Sequence, residues 1–238
     1  MNEKIPLGLG IYLVPEAARL LGIPVATLRR WIAGYEYWLH RDDATLKRKL
    51  GPLIRSELPK INDTRALSFL ELMELRVIRA LIEDRGMSLQ YVRQAHRVAS
   101  ELSQTSHPFA SERIYALGKR VWAHSRAHGH AENFVELSDG GKHQPAIGQL
   151  LKPFLKEIDF DASTSLAVRF WPRGRGFPVV LDPAIAFGAP VVAGTATRTE
   201  VVAALANRLG ADAAAAAYEI KLEKIEAAVQ FEDGLRAA

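Results

Sequence analysis

The stretch PEAARLLGIPVATLRRW, Pro15 to Trp31, reads as two short helices around a tight corner. Ala17, Ala18 and Leu21 give the first segment a small, apolar inner face, and Gly22 supplies the left-handed residue that ends a helix. Ile23 plugs the corner. Pro24 suits the opening of a second helix, in which Leu28 and Trp31 recur at the three-residue spacing of a buried stripe. That spacing leaves Thr27, Arg29 and Arg30 pointing outward, as on a helix that enters a DNA major groove. The same residues also fit an ordinary helical hairpin, because a glycine separates amphipathic helices in many folds that never meet nucleic acid.

Gly34 should stop the second helix. Tyr35 to Ile61 then lacks sustained periodicity and contains Gly51, Pro52 and Pro59, which suggests a wing-like loop or hairpin. Basic residues crowd into this region: Arg29, Arg30, Arg41, Lys47, Arg48, Lys49, Arg55 and Lys60. Such a surface attracts phosphates at long range. Arg29 and Arg30 are the best candidates for DNA contacts, Thr27 for a hydroxyl contact to base or phosphate, and Arg41, Lys47, Arg48 and Lys49 for positioning contacts from the loop. Asp42, Asp43 and Glu57 offset part of this charge, so a merely solvated surface is the competing reading.

Composition narrows the class without naming it. At 238 residues the chain exceeds one typical domain of ~100–150 residues. Hydrophobic residues at 48% and charged residues at 24% are ordinary for a globular protein, and a net charge of +4 decides nothing alone. The absence of cysteine excludes disulfides, thiolate metal sites and cysteine nucleophiles, and a reducing cytoplasm is the expected location. The apolar run Ile5 to Val14 is shorter than the ~20 residues of a membrane helix, so neither a targeting signal nor a membrane partner is expected.

Downstream, Ser68 and Glu71 form a capping box at the start of a long helix carrying Phe69, Leu72, Met73, Leu81 and Ile82 inward, with Gly86 at its end. Ser88 caps a further helix whose buried side holds Leu89, Val92, Ala95, Ala99 and Leu102. From Ser111 the chain turns to short strands and turns: a hairpin within Arg113 to Ala123, a strand at Phe134 to Leu137, a helix from Pro145 to Leu155, and strands at Leu166 to Trp171 and Pro178 to Leu181. Thr199 and Asp212 are expected caps of two late helices, and Leu222, Ile225, Ala228 and Val229 mark a third. The predicted fold is therefore α+β and mainly helical. It divides into a winged helix-turn-helix over 1–110, a small mixed section over 111–178, and a three-helix, helix-turn-helix-like element over 179–238.

Catalytic chemistry finds little support. Gly8-Leu9-Gly10 and Gly174-Arg175-Gly176 lack the spacing of a phosphate-binding loop. His124, His128 and His130 lack the further ligands of a metal shell. Glu71 reads as a cap and Glu74 as a surface charge near Arg76 or Arg79; Asp159 and Asp161 share a strand face without a third acid. No enzyme activity and no cofactor are expected.

Two stretches carry a family resemblance. EAARLLGIPVATLRRW followed by LSFLELMELRVIRALIEDRGMSLQYVRQA resembles the MerR-like winged helix-turn-helix. VVLDPAIAFGAPVVAGTATRTEVVAAL looks like the domain of unknown function 433 (DUF433), through Asp182-Pro183, Phe187-Gly188-Ala189-Pro190 and Gly194-Thr195. Joined, they resemble a VapB-type antitoxin of a type II toxin–antitoxin pair. That resemblance implies a protein that neutralises a PIN-like ribonuclease toxin and represses its own operon by binding operator DNA, as a homodimer with one recognition helix per half-site. One departure is local: family members carry an arginine directly after Gly-Thr, whereas here Ala196-Thr197 precede Arg198. The alternatives are a stand-alone MerR-like transcription regulator with a small-molecule-sensing middle section, or an interaction module without DNA binding.

Overall fold

The computed structural model describes residues 9–41, 44–54, 56–60, 64–84, 86–113 and 155–237. The expected hairpin after Arg113, the strand at Phe134, most of the helix from Pro145 and the three histidines of the 124–130 segment lie outside them.

The chain enters through β1 (Tyr12–Leu13) into α1 (Val14–Leu21), turns, and continues as α2 (Val25–Ala33). Gly22 is left-handed (φ 64°, ψ 38°), and its N–H faces the carbonyls of Ala18 and Arg19, while the Ile23 N–H reaches the Ala18 carbonyl at 3.0 Å. These bonds satisfy carbonyls that the helix end would leave unpaired. Ile23 is buried, as are Ala17, Ala18, Leu21, Leu28 and Trp31. An antiparallel hairpin follows, β2 (Tyr35–Arg41) against β3 (Ala44–Leu50). After β4 (Ala66–Leu67), which pairs with β1, come α3 (Phe69–Arg79), a π-helical turn over Ala80–Asp84, and α4 (Leu89–Ser103).

The Ser68 capping box is complete: the Glu71 N–H donates to Ser68 Oγ at 3.2 Å, and the Ser68 N–H donates to Glu71 Oε2 at 2.7 Å. Ser88 Oγ accepts from the Tyr91 N–H and caps α4. On α4 the buried side is Tyr91, Val92, Ala95, Val98 and Ala99, and Leu102 is exposed, so the stripe ends one turn earlier than its spacing suggests.

Glu74 is not on the surface. It is fully buried in α3, with Oε1 2.9 Å from His96 Nε2 and accepting from the Phe109 N–H, and Oε2 3.2 Å from His107 Nδ1. The other ring nitrogen of His107 lies 2.5 Å from Glu57 Oε1. With a carboxylate at each nitrogen, both must donate, which requires the imidazolium. Burial opposes that charge, but the bonds and charges of Glu74 and Glu57 outweigh it and raise the His107 pKa to about 9. Burial also works against ionised Glu74, and the two histidines hold its pKa below the ordinary value.

A four-stranded antiparallel sheet, β5 (Ile158–Phe160), β6 (Ala167–Phe170), β7 (Val179–Leu181) and β8 (Pro190–Val192), runs in chain order. It straddles residue 178, where the sequence suggests a division. Ile158, Ala167, Phe170 and Leu181 join the core formed by α1 to α4. Arg76 of α3 pairs with Glu157 and lies 4.6 Å from the Phe170 ring centroid, fixing the sheet to the helices.

Three helices complete the described chain: α5 (Thr199–Leu209), α6 (Ala211–Tyr218) and α7 (Leu222–Ala237). Val192, Val202, Ala206, Ala214, Ile220, Ile225 and Ala228 form their core. Two expected caps differ. Arg198 is the N-cap of α5, and the Thr199 hydroxyl instead reaches the Pro190 carbonyl and Glu232. Gly210 precedes α6, leaving Asp212 in its first turn as an acidic group at the positive helix end. The described protein is α+β and mainly helical, with small antiparallel sheets.

Candidate nucleic-acid interface

The outer face of α2 carries the sequence-derived candidates. Arg29 and Arg30 are exposed and Thr27 is half-buried, with Arg30 Nη2 3.4 Å from Thr27 Oγ1. Leu28, Trp31 and Ile32 anchor the opposite face, so the orientation of α2 is set by apolar burial rather than by its charges.

The hairpin is rooted on the end of this helix. A Cβ at Gly34 (φ 75°) would lie 2.2 Å from the Leu50 carbonyl oxygen, so only glycine lets β3 pass this close. The Leu53 N–H donates to the Trp31 carbonyl at 2.7 Å, Arg65 donates to the Ile32 carbonyl, and Arg93 Nη1 holds the Pro52 carbonyl at 2.6 Å. Helix and hairpin are thus joined at the helix C-terminus.

Register sorts the hairpin's side chains. Glu36 pairs with Lys49 and Trp38 with Lys47, placing these four on one face; Tyr35 with Leu50 and Tyr37 with Arg48 share the other. Lys47, Arg48 and Lys49 are all exposed. Lys47 Nζ sits 2.6 Å from Glu36 Oε2, and the hydrogen bond and charge of Lys47 hold the Glu36 carboxyl below its ordinary pKa. Arg41 closes β2 opposite Ala44, and its side chain lies outside the described residues. The structure therefore brings Thr27, Arg29 and Arg30 together on α2, and Lys47, Arg48 and Lys49 together on β3. Sequence reading missed Trp38, which is 61% exposed beside Lys47. The alternation in Tyr35-Glu36-Tyr37-Trp38 against Lys47-Arg48-Lys49 is the signal that would have found it.

A second corner has the same backbone plan. The helices before the two corners, α1 and α6, each have eight residues. Glu219 takes the left-handed place of Gly22 (φ 54°, ψ 36°), with its N–H on the carbonyls of Ala215 and Ala216. Ile220 is buried like Ile23, Ile225 like Leu28 and Ala228 like Trp31. The outward positions differ. Where α2 has Thr27, Arg29 and Arg30, α7 has Lys224, Glu226 and Ala227. Lys224 Nζ is tied to the Ala193 carbonyl at 2.8 Å, Ala227 and Phe231 are buried, and α7 packs on β7, β8 and α1. Of the three outward positions, Ala227 is buried in this packing and Glu226 is exposed.

The residues from Asp182 to Arg198 act locally. Asp182 accepts from Arg169 at 2.8 Å and from the Ala184 N–H at 2.9 Å, and Thr195 bonds Val192 and Thr197 across the turn after β8. Arg198 pairs with Glu200 at 3.0 Å. Asp159 and Asp161 do not converge: Asp159 bonds Trp171 and Arg175, and Asp161 caps the Ser163-Thr164 turn. No helix among the described residues is long and apolar enough to cross a membrane.

These features define an α+β protein built on two like helical corners, one with a basic exposed face and one docked internally. The chain is similar to Rv2018 from Mycobacterium tuberculosis, known from its crystal structure: the TM-score is 0.71 at 23% identity, over 94% of this chain and 100% of that one. No family model matches the sequence, and no curated protein matches it.

Proposed function

We propose that the chain is a DNA-binding protein of the winged helix-turn-helix kind, with α2 as the recognition helix and the β2–β3 hairpin as the wing. One observation carries this reading: Arg29 and Arg30 are exposed on a helix whose opposite face is locked into the core, beside a hairpin bearing Lys47, Arg48 and Lys49. Guanidinium groups on a preoriented helix suit bidentate reading of guanine edges, and the hairpin cations suit phosphates. A single α2 covers one half-site, so the DNA-bound form is a homodimer on an inverted repeat.

The resemblance to VapB-type antitoxins extends the proposal to biology: a repressor of its own operon that neutralises a PIN-like ribonuclease toxin. Gel-shift titration on the duplex upstream of its own reading frame tests the DNA half. Arg29→Ala and Arg30→Ala should each weaken binding by ~1–3 kcal/mol if the group touches a base, or lower the salt dependence if it touches a phosphate. Unchanged affinity in both variants removes α2 from the interface. Co-expression with the product of the adjacent small reading frame tests the antitoxin half; failure both to co-purify and to relieve that product's growth arrest rejects it.

A further inference from the structure

We infer that Trp38 is a further nucleic-acid contact, an apolar wedge on the hairpin that inserts against the sugars and bases of a duplex while Lys47 and Lys49 hold the flanking phosphates. This inference rests on the DNA reading of α2 and goes beyond it, because it assigns the hairpin a packing contact as well as a charge.

Trp38 is 61% exposed, whereas Trp31 in the adjoining helix is 6% exposed. An indole left in water forgoes burial of much of its ~150–250 Å² of surface, so its place on a rigidly rooted strand calls for a partner. The partner's chemistry is written in the register. Lys47 lies directly across from Trp38, with its ammonium 6.0 Å from the ring centroid, and Lys49 lies two residues along on the same face. On the other face Leu46 is 47% exposed and Arg48 is exposed, so the outer hairpin has apolar groups on both faces within a run of three cations. Protein interfaces are enriched in tryptophan and arginine but depleted in lysine, so it is the two lysines on the Trp38 face that point to a polyanion as the occupant. Duplex grooves present sugar and base surface between rows of phosphates, and proteins that use them combine cations with inserted apolar or aromatic side chains. Glu36 keeps Lys47 paired at 2.6 Å in the free protein, and an arriving phosphate would take over that cation.

The test uses the full-length protein and the duplex upstream of its own reading frame. Trp38→Ala should lose about five- to a hundredfold in affinity, in line with the ~1–3 kcal/mol of an aromatic contact to a base, while the slope of log affinity against log salt stays as in the unaltered protein. Lys47→Ala should instead lower that slope by about one. Trp38→Phe should keep most of the affinity, and the quenching of tryptophan emission on adding duplex should shrink in it. Equal affinity for Trp38→Ala and the unaltered protein, with Arg29→Ala still weakened, overturns the wedge and leaves the DNA reading standing. Conversion of a dimer to a monomer by Trp38→Ala in sedimentation, without duplex, also overturns it, because the indole would then be a contact between copies. If the unaltered protein binds no duplex, both readings fall together.

Discussion

The phenolic hydroxyl of Tyr12 donates a 2.7 Å hydrogen bond to the main-chain carbonyl of Gly188, joining the strand before the first helical corner to the turn before β8. The Ile11 N–H, one residue earlier, donates to the Phe187 carbonyl at 2.9 Å. Together these bonds seat the turn before β8 on the amino-terminal core. Tyr12 is fully buried, and its hydroxyl is held far above the ordinary phenol pKa by burial, with the charges of Glu16 and Asp182 adding to it.

Tyr12→Phe should therefore destabilise the protein by ~1–3 kcal/mol, the cost of leaving a buried carbonyl unpaired. Gly188→Ala should cost more. Gly188 has φ 86°, and an added Cβ would lie 2.4 Å from the Tyr12 hydroxyl oxygen. Because that oxygen is the nearest obstacle, Gly188→Ala should cost less in the Tyr12→Phe background than alone. Urea unfolding of the two single variants and the double variant measures this; strict additivity would show that the two groups do not meet.

Buried His107 sets an alkaline limit. His107 has its pKa raised from 6.5 to about 9, so the charged form belongs to the folded state. Its contribution is whole below pH ~6.5 and disappears as pH rises through about 9, amounting to at most ~3 kcal/mol. His107→Gln should abolish this alkaline decline. It should also lower stability at neutral pH by ~3–5 kcal/mol, since Glu74 loses a charged partner while fully buried. Stability curves at pH 6 to 10 for the two proteins check both statements, and parallel curves would assign the decline to another group.

These cases mark what sequence patterning could reach. The Gly22-Ile23 corner and the Ser68–Glu71 capping box were legible because each is a local pattern of a few residues with its own hydrogen bonds. Glu74 was misread because its position in a helix resembles a surface charge, while its partners His96 and His107 stand 22 and 33 residues away. Thr199 has the chemistry of an N-cap, yet its hydroxyl is taken by Pro190 and Glu232, which only the folded chain brings near. The strands expected at Leu166 to Trp171 and Pro178 to Leu181 are separate local patterns in the sequence, but their union in one sheet crosses the expected division. Of the candidate interface, charge was visible and register was not, so the lysines were named and Trp38 was overlooked.

Gly34 tests whether hairpin and helix act as one unit. Gly34→Ala should force β3 away from α2, because its Cβ meets the Leu50 carbonyl at 2.2 Å and the backbone there is left-handed at φ 75°. A loss of ~1–3 kcal/mol is expected. In gel shifts the variant should bind duplex more weakly although every basic side chain remains, and affinity equal to the unaltered protein would mean that the hairpin contributes nothing by its placement.

The two corners allow a reciprocal comparison at matched positions. Arg30 is exposed, so Arg30→Ala should change unfolding free energy by no more than ~0.5 kcal/mol while weakening duplex binding. Ala227 holds the equivalent place on α7 but is buried, so Ala227→Arg must push a guanidinium into the packing of α7 against its sheet and should cost ~3 kcal/mol or more. Glu226, the counterpart of Arg29, is exposed, and Glu226→Ala should leave both stability and duplex affinity within about twofold of their original values. The asymmetry follows from what covers the matched positions: solvent over Arg30 of α2, the protein's own packing over Ala227 of α7. A loss of duplex binding in Glu226→Ala without loss of stability would place the carboxyl-terminal corner on DNA and reverse the assignment of the two corners.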